Sequence, residues 1–185
     1  MRKITFVAAV IMLACFTLIS ACAGGGGAQN PLLSQSGVDV PDKTVILPPM
    51  PDRAENNATL AGICTTKTKV RDDVYRIIFS TYTSATKRNA AMVFAEVTRG
   101  IYLDPPKTRA EAKAIADAKV AIGDCLRLHS EISFKEHWYL MEGVTALHAD
   151  TAARMEAYGK YLDLLNGQLF FSTKPTPDSC KGVLP

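Results

Sequence analysis

Hydrophobic and polar positions follow three different patterns along the chain, and each pattern predicts a different kind of structure. Residues 4–19 form an apolar run that only two threonines interrupt. Residues 23–52 show no period, and their four consecutive glycines and five prolines exclude a regular helix. Beyond them, apolar positions recur with the 3.6-residue period of an amphipathic helix. We therefore expect a leader over residues 1–21, a flexible tether over 22–52 and a helical body with a C-terminal tail over 53–185.

The first half of the body predicts two helices. The first covers about 54–82 and the second about 88–102, with a polar stretch between them that breaks or kinks the chain. Two prolines directly after Asp104 end the second helix. The apolar face of the first helix contains the following residues: Leu60, Ile63, Cys64, Val74, Ile78 and Tyr82.

The second half of the body predicts two more helices, each opened by a capping box. Thr108 with Glu111 begins the third, and Ser133 with Glu136 begins the fourth, which continues to Leu165. The apolar stripe of the fourth helix contains Leu140, Met141, Val144, Leu147, His148, Met155, Tyr158, Leu162 and Leu165. Since each stripe needs a partner, we expect an all-α fold, a small bundle of about four helices.

The leader has the pattern of an export signal. Arg2 and Lys3 precede an apolar stretch of about 16 residues, which is short for a membrane span and closes with small residues. An uncleaved membrane anchor is the alternative. The tetrapeptide Ile19-Ser20-Ala21-Cys22 resembles the lipobox of bacterial lipoproteins, with Ile where Leu is usual. The resemblance covers the leader alone and implies cleavage after Ala21, a diacylglycerol on Cys22 and usually a further acyl chain on the new amino group.

The resemblance also predicts where the protein is located. Two or three acyl chains hold a protein firmly at a bilayer, whereas one holds it only marginally. Ala23, which follows the lipidated cysteine, implies sorting to the outer membrane, facing the periplasm, in a bacterium with two membranes. A second cysteine at position 15 follows a poorer match, Leu13-Ala14, and would leave a very short export core.

The charge balance excludes a nucleic-acid-binding role that depends on a strongly basic surface. The sequence has 21 basic and 18 acidic residues, a net charge of +3. Removal of Arg2 and Lys3 with the leader leaves 19 basic against 18 acidic residues, or +1. We therefore expect no nucleic-acid partner. The expected partners are a membrane, through the N-terminal lipid, and another envelope protein.

Three cysteines remain in the body once Cys15 has left with the leader and Cys22 is acylated. An oxidising compartment permits one disulfide among them. In an up-down bundle the fourth helix ends near the start of the first, which brings the tail beside Cys64. This geometry predicts a Cys64–Cys180 disulfide, with Cys125 inside the third helix. If the first two segments form one continuous helix, no pair is preferred.

Two groups of side chains are candidates for chemistry. Cys125 and His129 stand four apart on one helical face, which permits a thiolate nucleophile but equally a core cysteine beside a histidine. His137, Met141 and His148 fall on one face of the fourth helix, together with Met155, and such side chains bind haem or metals in some bundles. At the same spacing they are ordinary core residues.

The function that the sequence favours is non-catalytic. Because no catalytic set can be defined and no cofactor is indicated, we expect a cell-envelope lipoprotein that serves as an accessory or assembly factor of an envelope machine. Phe170 and Phe171 would anchor a protein partner if exposed, or cover the end of the bundle if buried. The alternatives are a helical bundle that binds a small molecule, haem or a metal, and an envelope hydrolase.

Overall fold

A computed structural model of the protein describes residues 45–128 and 133–170, together with Pro175, Thr176, Cys180 and Val183. The export leader, the tetrapeptide that ends at Cys22 and the tether up to residue 44 lie outside the described residues. His129 and Phe171 lie outside them as well.

The described residues form six helices and no strand, which confirms the all-α fold class and adds two helices to the expected number. The helices are α1 (Arg53–Asn57), α2 (Asp72–Thr81), α3 (Ala85–Leu103), α4 (Arg109–Leu128), α5 (Phe134–His148) and α6 (Ala152–Leu165). Both predicted capping boxes are confirmed, since the Thr108 and Ser133 hydroxyls accept the backbone N–H groups of Glu111 and Glu136. No helix in this part of the chain has the combined length and apolar character of a bilayer span.

The prediction of a single helix over 54–82 is wrong. Helix α1 has only five residues, and the chain then runs without regular helix to Arg71. Polar side chains accept hydrogen bonds from backbone N–H groups that would otherwise donate within a helix. Asn56 Oδ1 accepts the N–H of Ile63 at 2.9 Å, and the Asp72 carboxylate accepts the N–H of Thr65 at 2.9 Å. Gly62 has a φ of +63°, in the left-handed region that favours glycine.

The prediction of a single helix from Ser133 to Leu165 is wrong as well, because the helix is broken in two. It is interrupted at 149–151, where Thr151 caps α6 by accepting the N–H of Arg154 at 3.2 Å. After the interruption, α6 packs through Tyr161 and its neighbours Tyr158 and Leu165. As a result Met155 and Leu162, expected in one buried stripe, are 57% and 48% exposed.

Helix α3 lies at the centre of the bundle and contacts α2, α4, α5 and α6. Its core face is rich in alanine, and Ala90, Ala91 and Ala95 are fully buried. Small side chains let the neighbouring helices approach closely, while Phe94 fills the wider space.

The bundle has two ends that differ in chemistry. The first turns of α3 and α5 meet at one end, where Lys87 Nζ lies 3.1 Å from Glu136 Oε1. We call this the aromatic end, because the first two turns of α5 carry three exposed aromatic residues, Phe134, Trp138 and Tyr139. The other end holds the irregular segment 58–71 and three buried arginines, Arg71, Arg99 and Arg154, and we call it the arginine end.

The predicted Cys64–Cys180 disulfide is wrong, because Cys180 is joined to Cys125 of α4. Cys64 belongs to the irregular segment at the arginine end, and its Sγ lies 3.0 Å from the carbonyl oxygen of Thr68. Cys125 lies near the last turn of α4, at the aromatic end. Cys180 therefore lies at that end, and Val183 is fully buried in the main core.

Candidate functional site

Arg154 is the centre of a buried charged network at the arginine end. Its side chain is 1% exposed and projects from the first turn of α6. Nε donates to the carbonyl oxygen of Leu60 at 3.0 Å and Nη2 to that of Thr59 at 3.0 Å. Nη1 donates to Asp150 at 2.7 Å and to Asn57 Oδ1 at 3.2 Å. One guanidinium thus holds the chain that leaves α1 against α6.

Arg71 extends the same network towards α5. Its Nε and Nη2 donate to the two carboxylate oxygens of Asp73 at 2.6 and 2.8 Å. Nη2 also donates to Asp150 at 2.8 Å and to the carbonyl oxygen of Leu147 at 2.9 Å. Asp150 therefore receives hydrogen bonds from two buried arginines. Burial alone would raise its pKa, but the hydrogen bonds and charges of Arg154 and Arg71 outweigh burial and hold the pKa of Asp150 below its ordinary value.

Arg99 fastens the irregular segment to the central helix. It is 1% exposed, and it donates to the carbonyl oxygens of Ala61 at 3.1 Å and of Lys69 at 2.9 Å. Together the three arginines satisfy backbone carbonyls that a loop would otherwise show to water. The network therefore acts as a brace, and its charged groups are occupied by partners inside the protein.

His148 lies beside this brace, stacked on Tyr102 with ring centroids 5.9 Å apart. Burial, and then the nearby charges of Arg71, Arg99, Lys119 and Arg154, lower the pKa of His148 to about 3. The imidazole is therefore neutral. Its Nε2, the Tyr102 hydroxyl and the Thr98 hydroxyl are buried without a hydrogen-bond partner among the described residues.

The candidate metal ligands of α5 do not come together. His137 and His148 are eleven residues apart on one helix, a rise of about 16 Å. His137 packs against α4 at Gly123, where an added Cβ would collide with its imidazole ring. Met141 packs against the main core. Within the ranges that the structure describes, no group of three His, Cys, Asp or Glu side chains is arranged to hold a metal ion.

The candidate thiolate nucleophile is not present as a thiol in this structure. Cys125 forms the disulfide with Cys180, and a disulfide sulfur cannot act as a thiolate. Its predicted partner, His129, lies outside the described residues.

Lys119 is a partly buried cation that the sequence pattern did not single out. Its Nζ lies 4.7 Å from the ring centroid of Phe94, 5.4 Å from that of Tyr158 and 5.9 Å from that of Tyr161. Burial lowers the pKa of Lys119 to about 8, and the charge of Glu142 opposes this change. The three ring faces surround the ammonium group inside the bundle.

A surface cavity of about 300 Å³ lies where α3 is joined to α4, between Pro105, Pro106 and Ile115. Two carboxylates line it, those of Asp104 and Glu111, and Glu111 accepts the backbone N–H groups of Lys107 at 2.7 Å and of Thr108 at 3.1 Å. These hydrogen bonds lower the pKa of Glu111. The carboxylate is therefore engaged in capping α4.

Two groups of exposed apolar residues lie on α6 with the residues that follow it and on α5, within the part of the chain that the structure describes. The first, the α6 stripe, consists of Met155, Leu162, Leu169 and Phe170, of which Leu169 is 72% and Phe170 37% exposed. The second, the aromatic patch, consists of Phe134, Trp138 and Tyr139 on α5, which are 67%, 55% and 62% exposed. Single exposed apolar residues are common on proteins, but groups of this size mark interaction surfaces.

Sequence reasoning pointed to Phe170 as a contact residue, but it missed the buried arginines and the break that exposes Met155. The signal for the break was Asp150-Thr151, a helix-capping pair inside an otherwise periodic run. Comparison with known proteins brings no match, since no family model, curated protein or solved structure corresponds to this chain.

Proposed function

We propose that the protein is a lipid-anchored, non-catalytic component of the bacterial cell envelope. In this proposal its helical body binds another envelope protein and assists the assembly of a larger machine. In a bacterium with two membranes the acyl chains sit in the outer membrane and the body faces the periplasm.

The observation that carries the location is the tetrapeptide Ile19-Ser20-Ala21-Cys22 after an apolar run of export length. Acylation of Cys22 supplies a bilayer anchor without a membrane-spanning helix. Ala23 in the next position supports the outer membrane as the destination.

The α6 stripe supports the binding role. Met155 and Leu162 are seven residues apart and share one face of α6, and Leu169 and Phe170 follow the helix. Arg154, in the same helix, ties α6 to the segment after α1. A rigid apolar surface loses little conformational entropy when it binds a partner, which favours specific association.

Affinity capture from detergent-solubilised membranes tests the binding role. The wild-type chain and the variant Ile77→Lys, an exposed apolar position on α2, should recover the same stoichiometric partner. Leu162→Lys should lose it, because a charge replaces the centre of the α6 stripe. Equal recovery by both variants, or no stoichiometric partner at all, would contradict the proposal.

Mass spectrometry of the mature N-terminus tests the location. We expect a chain that begins at an acylated Cys22, and a Cys22→Ser variant that leaves the membrane fraction. A native chain that retains Met1, or a serine variant that stays membrane-bound, would overturn the anchoring.

A further inference from the structure

The chain enters the body in a direction that the contacts of its first described residues define. The carbonyl oxygen of Pro48 accepts a hydrogen bond from Arg76, in the middle of α2, at 2.6 Å. Eight residues later, Asn56 donates to Asp73, at the start of α2, at 3.0 Å. The entering chain therefore runs antiparallel to α2, and Val45, which packs against the main core, lies towards the C-terminal half of that helix.

The C-terminal half of α2 belongs to the aromatic end. A short connection leads from α2 to Ser84, which caps the first turn of α3, and that turn contacts the first turn of α5 through Lys87 and Glu136. The predicted tether thus joins the body at the end that carries the aromatic patch. Residues 23–44 separate the cysteine that we propose to be acylated from Val45. Because the anchor is attached through this segment, the end where the chain enters is the end of the body with the shortest connection to the bilayer.

We propose that the aromatic patch rests in the headgroup region of the phospholipid membrane that holds the acyl chains, so that the body stands on the bilayer with its arginine end outward. The inference depends on the proposed lipid anchor. Trp and Tyr combine an apolar ring with a polar group, and they are the residues enriched at membrane–water interfaces.

The charges around the patch suit a phospholipid surface. The first turns of α3 and α5 and the last turns of α4 carry four basic residues among the described part of the chain, Lys87, Arg88, Arg127 and Lys135, against two acidic ones, Asp124 and Glu136. Lys135 Nζ lies 5.7 Å from the ring centroid of Tyr139, beside the patch. Lys87 and Arg127 pair with the two carboxylates, so Arg88 and Lys135 are the cations in excess. Cations next to exposed aromatic rings match anionic headgroups above an apolar layer.

Trp138 is the only tryptophan of the sequence, so the patch carries its own fluorescent probe. The experiment uses the full mature chain with its native lipid, reconstituted in vesicles of phosphatidylethanolamine and phosphatidylglycerol. Flotation of the vesicles measures anchoring. Quenching of Trp138 by phospholipids brominated in their acyl chains, and by acrylamide in the water, measures contact of the patch with the bilayer.

We expect Trp138 emission to move to shorter wavelength in vesicles, to fall with brominated lipid and to be protected from acrylamide. The double variant Phe134→Ser, Tyr139→Ser keeps the probe and should lose most of the quenching by lipid while it still floats. Leu103→Ser, an exposed apolar position at the arginine end, is the matched control and should quench as the wild type does.

The outcomes separate this inference from the anchoring on which it depends. A chain that floats while Trp138 emits as it does in water overturns the inference and leaves the anchor in place. A chain that does not float overturns both. Shielding of Trp138 that rises with protein concentration without lipid assigns the patch to a second copy, and shielding in native membranes but not in pure lipid assigns it to a protein partner. Either result overturns the membrane contact.

Discussion

Individual side chains at the arginine end carry charge that is compensated inside the protein. Asp150 accepts hydrogen bonds from both Arg71 and Arg154, and the three residues come from two separate parts of the chain. Sequence reasoning did not find this network because arginine is ordinarily a surface residue, and its partners here are backbone carbonyls of a segment that was expected to be helical. The position of a buried charge depends on the tertiary path of the chain and has no local signature.

Replacement of Arg154 tests the energetic role of this network. Arg154→Met removes hydrogen bonds to the backbone carbonyl oxygens of Asn56, Thr59 and Leu60. It also leaves Asp150 with one arginine partner instead of two. We expect the free energy of unfolding to fall by about 3–5 kcal/mol in urea denaturation. Arg109→Met, at the exposed first position of α4, is the matched control and should change it by less than about 0.5 kcal/mol. An equal effect of the two substitutions would contradict the brace.

The neutral state of His148 predicts how stability depends on pH. The pKa of His148 is about 3 in the folded protein, against about 6.5 in an unfolded chain. Below pH 6.5 the unfolded chain binds a proton that the folded chain does not accept, so stability is lost as the pH falls from 6.5 towards 3. The loss should be on the order of a few kcal/mol, measured by urea denaturation at a series of pH values.

His148→Phe should flatten the part of this dependence between pH 6.5 and about 5.5, where most carboxylates are ionised in both the folded and the unfolded chain. His137, whose pKa burial also lowers, acts in the same direction, and His137→Phe gives its share. If the wild type and His148→Phe lose stability in parallel as the pH falls, the imidazole is not neutral in the fold.

At the scale of the helices, the bounds predicted from the sequence are most accurate where the local start and stop signals agree with the apolar stripe that packs into the core. Helices α3 and α4 were expected within a few residues of their observed bounds, because each has a regular stripe and a defined stop or capping box. The segment 58–71 was misread since Leu60, Ile63 and Cys64 happen to repeat at helical spacing. Asn56, Asp72 and Gly62 decide its path instead, through side-chain hydrogen bonds and a left-handed φ.

Alanine substitutions at two glycines distinguish the loss of stability caused by backbone strain from the loss caused by a steric collision of the added Cβ. Gly62 and Gly167 both have positive φ, +63° and +76°. An added Cβ at Gly62 would collide with Arg71, whereas at Gly167 it meets nothing within 4 Å. We expect Gly167→Ala to destabilise by about 1 kcal/mol and Gly62→Ala by about 2–4 kcal/mol, because the latter also displaces the Arg71 side chain. Equal losses in a denaturation experiment would show that Arg71 adapts freely.

At the scale of the whole molecule, the disulfide decides where the tail lies. The expected pairing failed because it required the fourth helix to run the full length of the bundle and deliver the tail to Cys64. The interruption at 149–151 redirects α6 to the arginine-end half of α3 and α4, where Leu164 and Leu165 pack with Ile101 and Ala112. Cys180, by contrast, is bonded to Cys125 at the aromatic end.

Loss of this bond should measurably weaken the fold. Cys125 and Cys180 are 55 residues apart, and the chain-entropy model gives a stabilisation of about 4 kcal/mol for such a loop. We expect Cys180→Ser to lower the free energy of unfolding by about 2–4 kcal/mol, and Cys64→Ser, the matched control, by less. Peptide mapping without reductant should recover the Cys125–Cys180 peptide; recovery of a Cys64–Cys180 peptide would restore the original prediction.

The position of Cys180 also sets the order of events during biogenesis. Cys180 follows all six described helices in the chain. Its disulfide with Cys125 therefore cannot form until each of these helices has been synthesised and delivered to the oxidising compartment. In the envelope location that we propose, a strain without its exported thiol oxidase would accumulate a body whose helices are formed but whose tail is open to proteases. Maturation of the protein would then report on the oxidative capacity of the compartment that receives it.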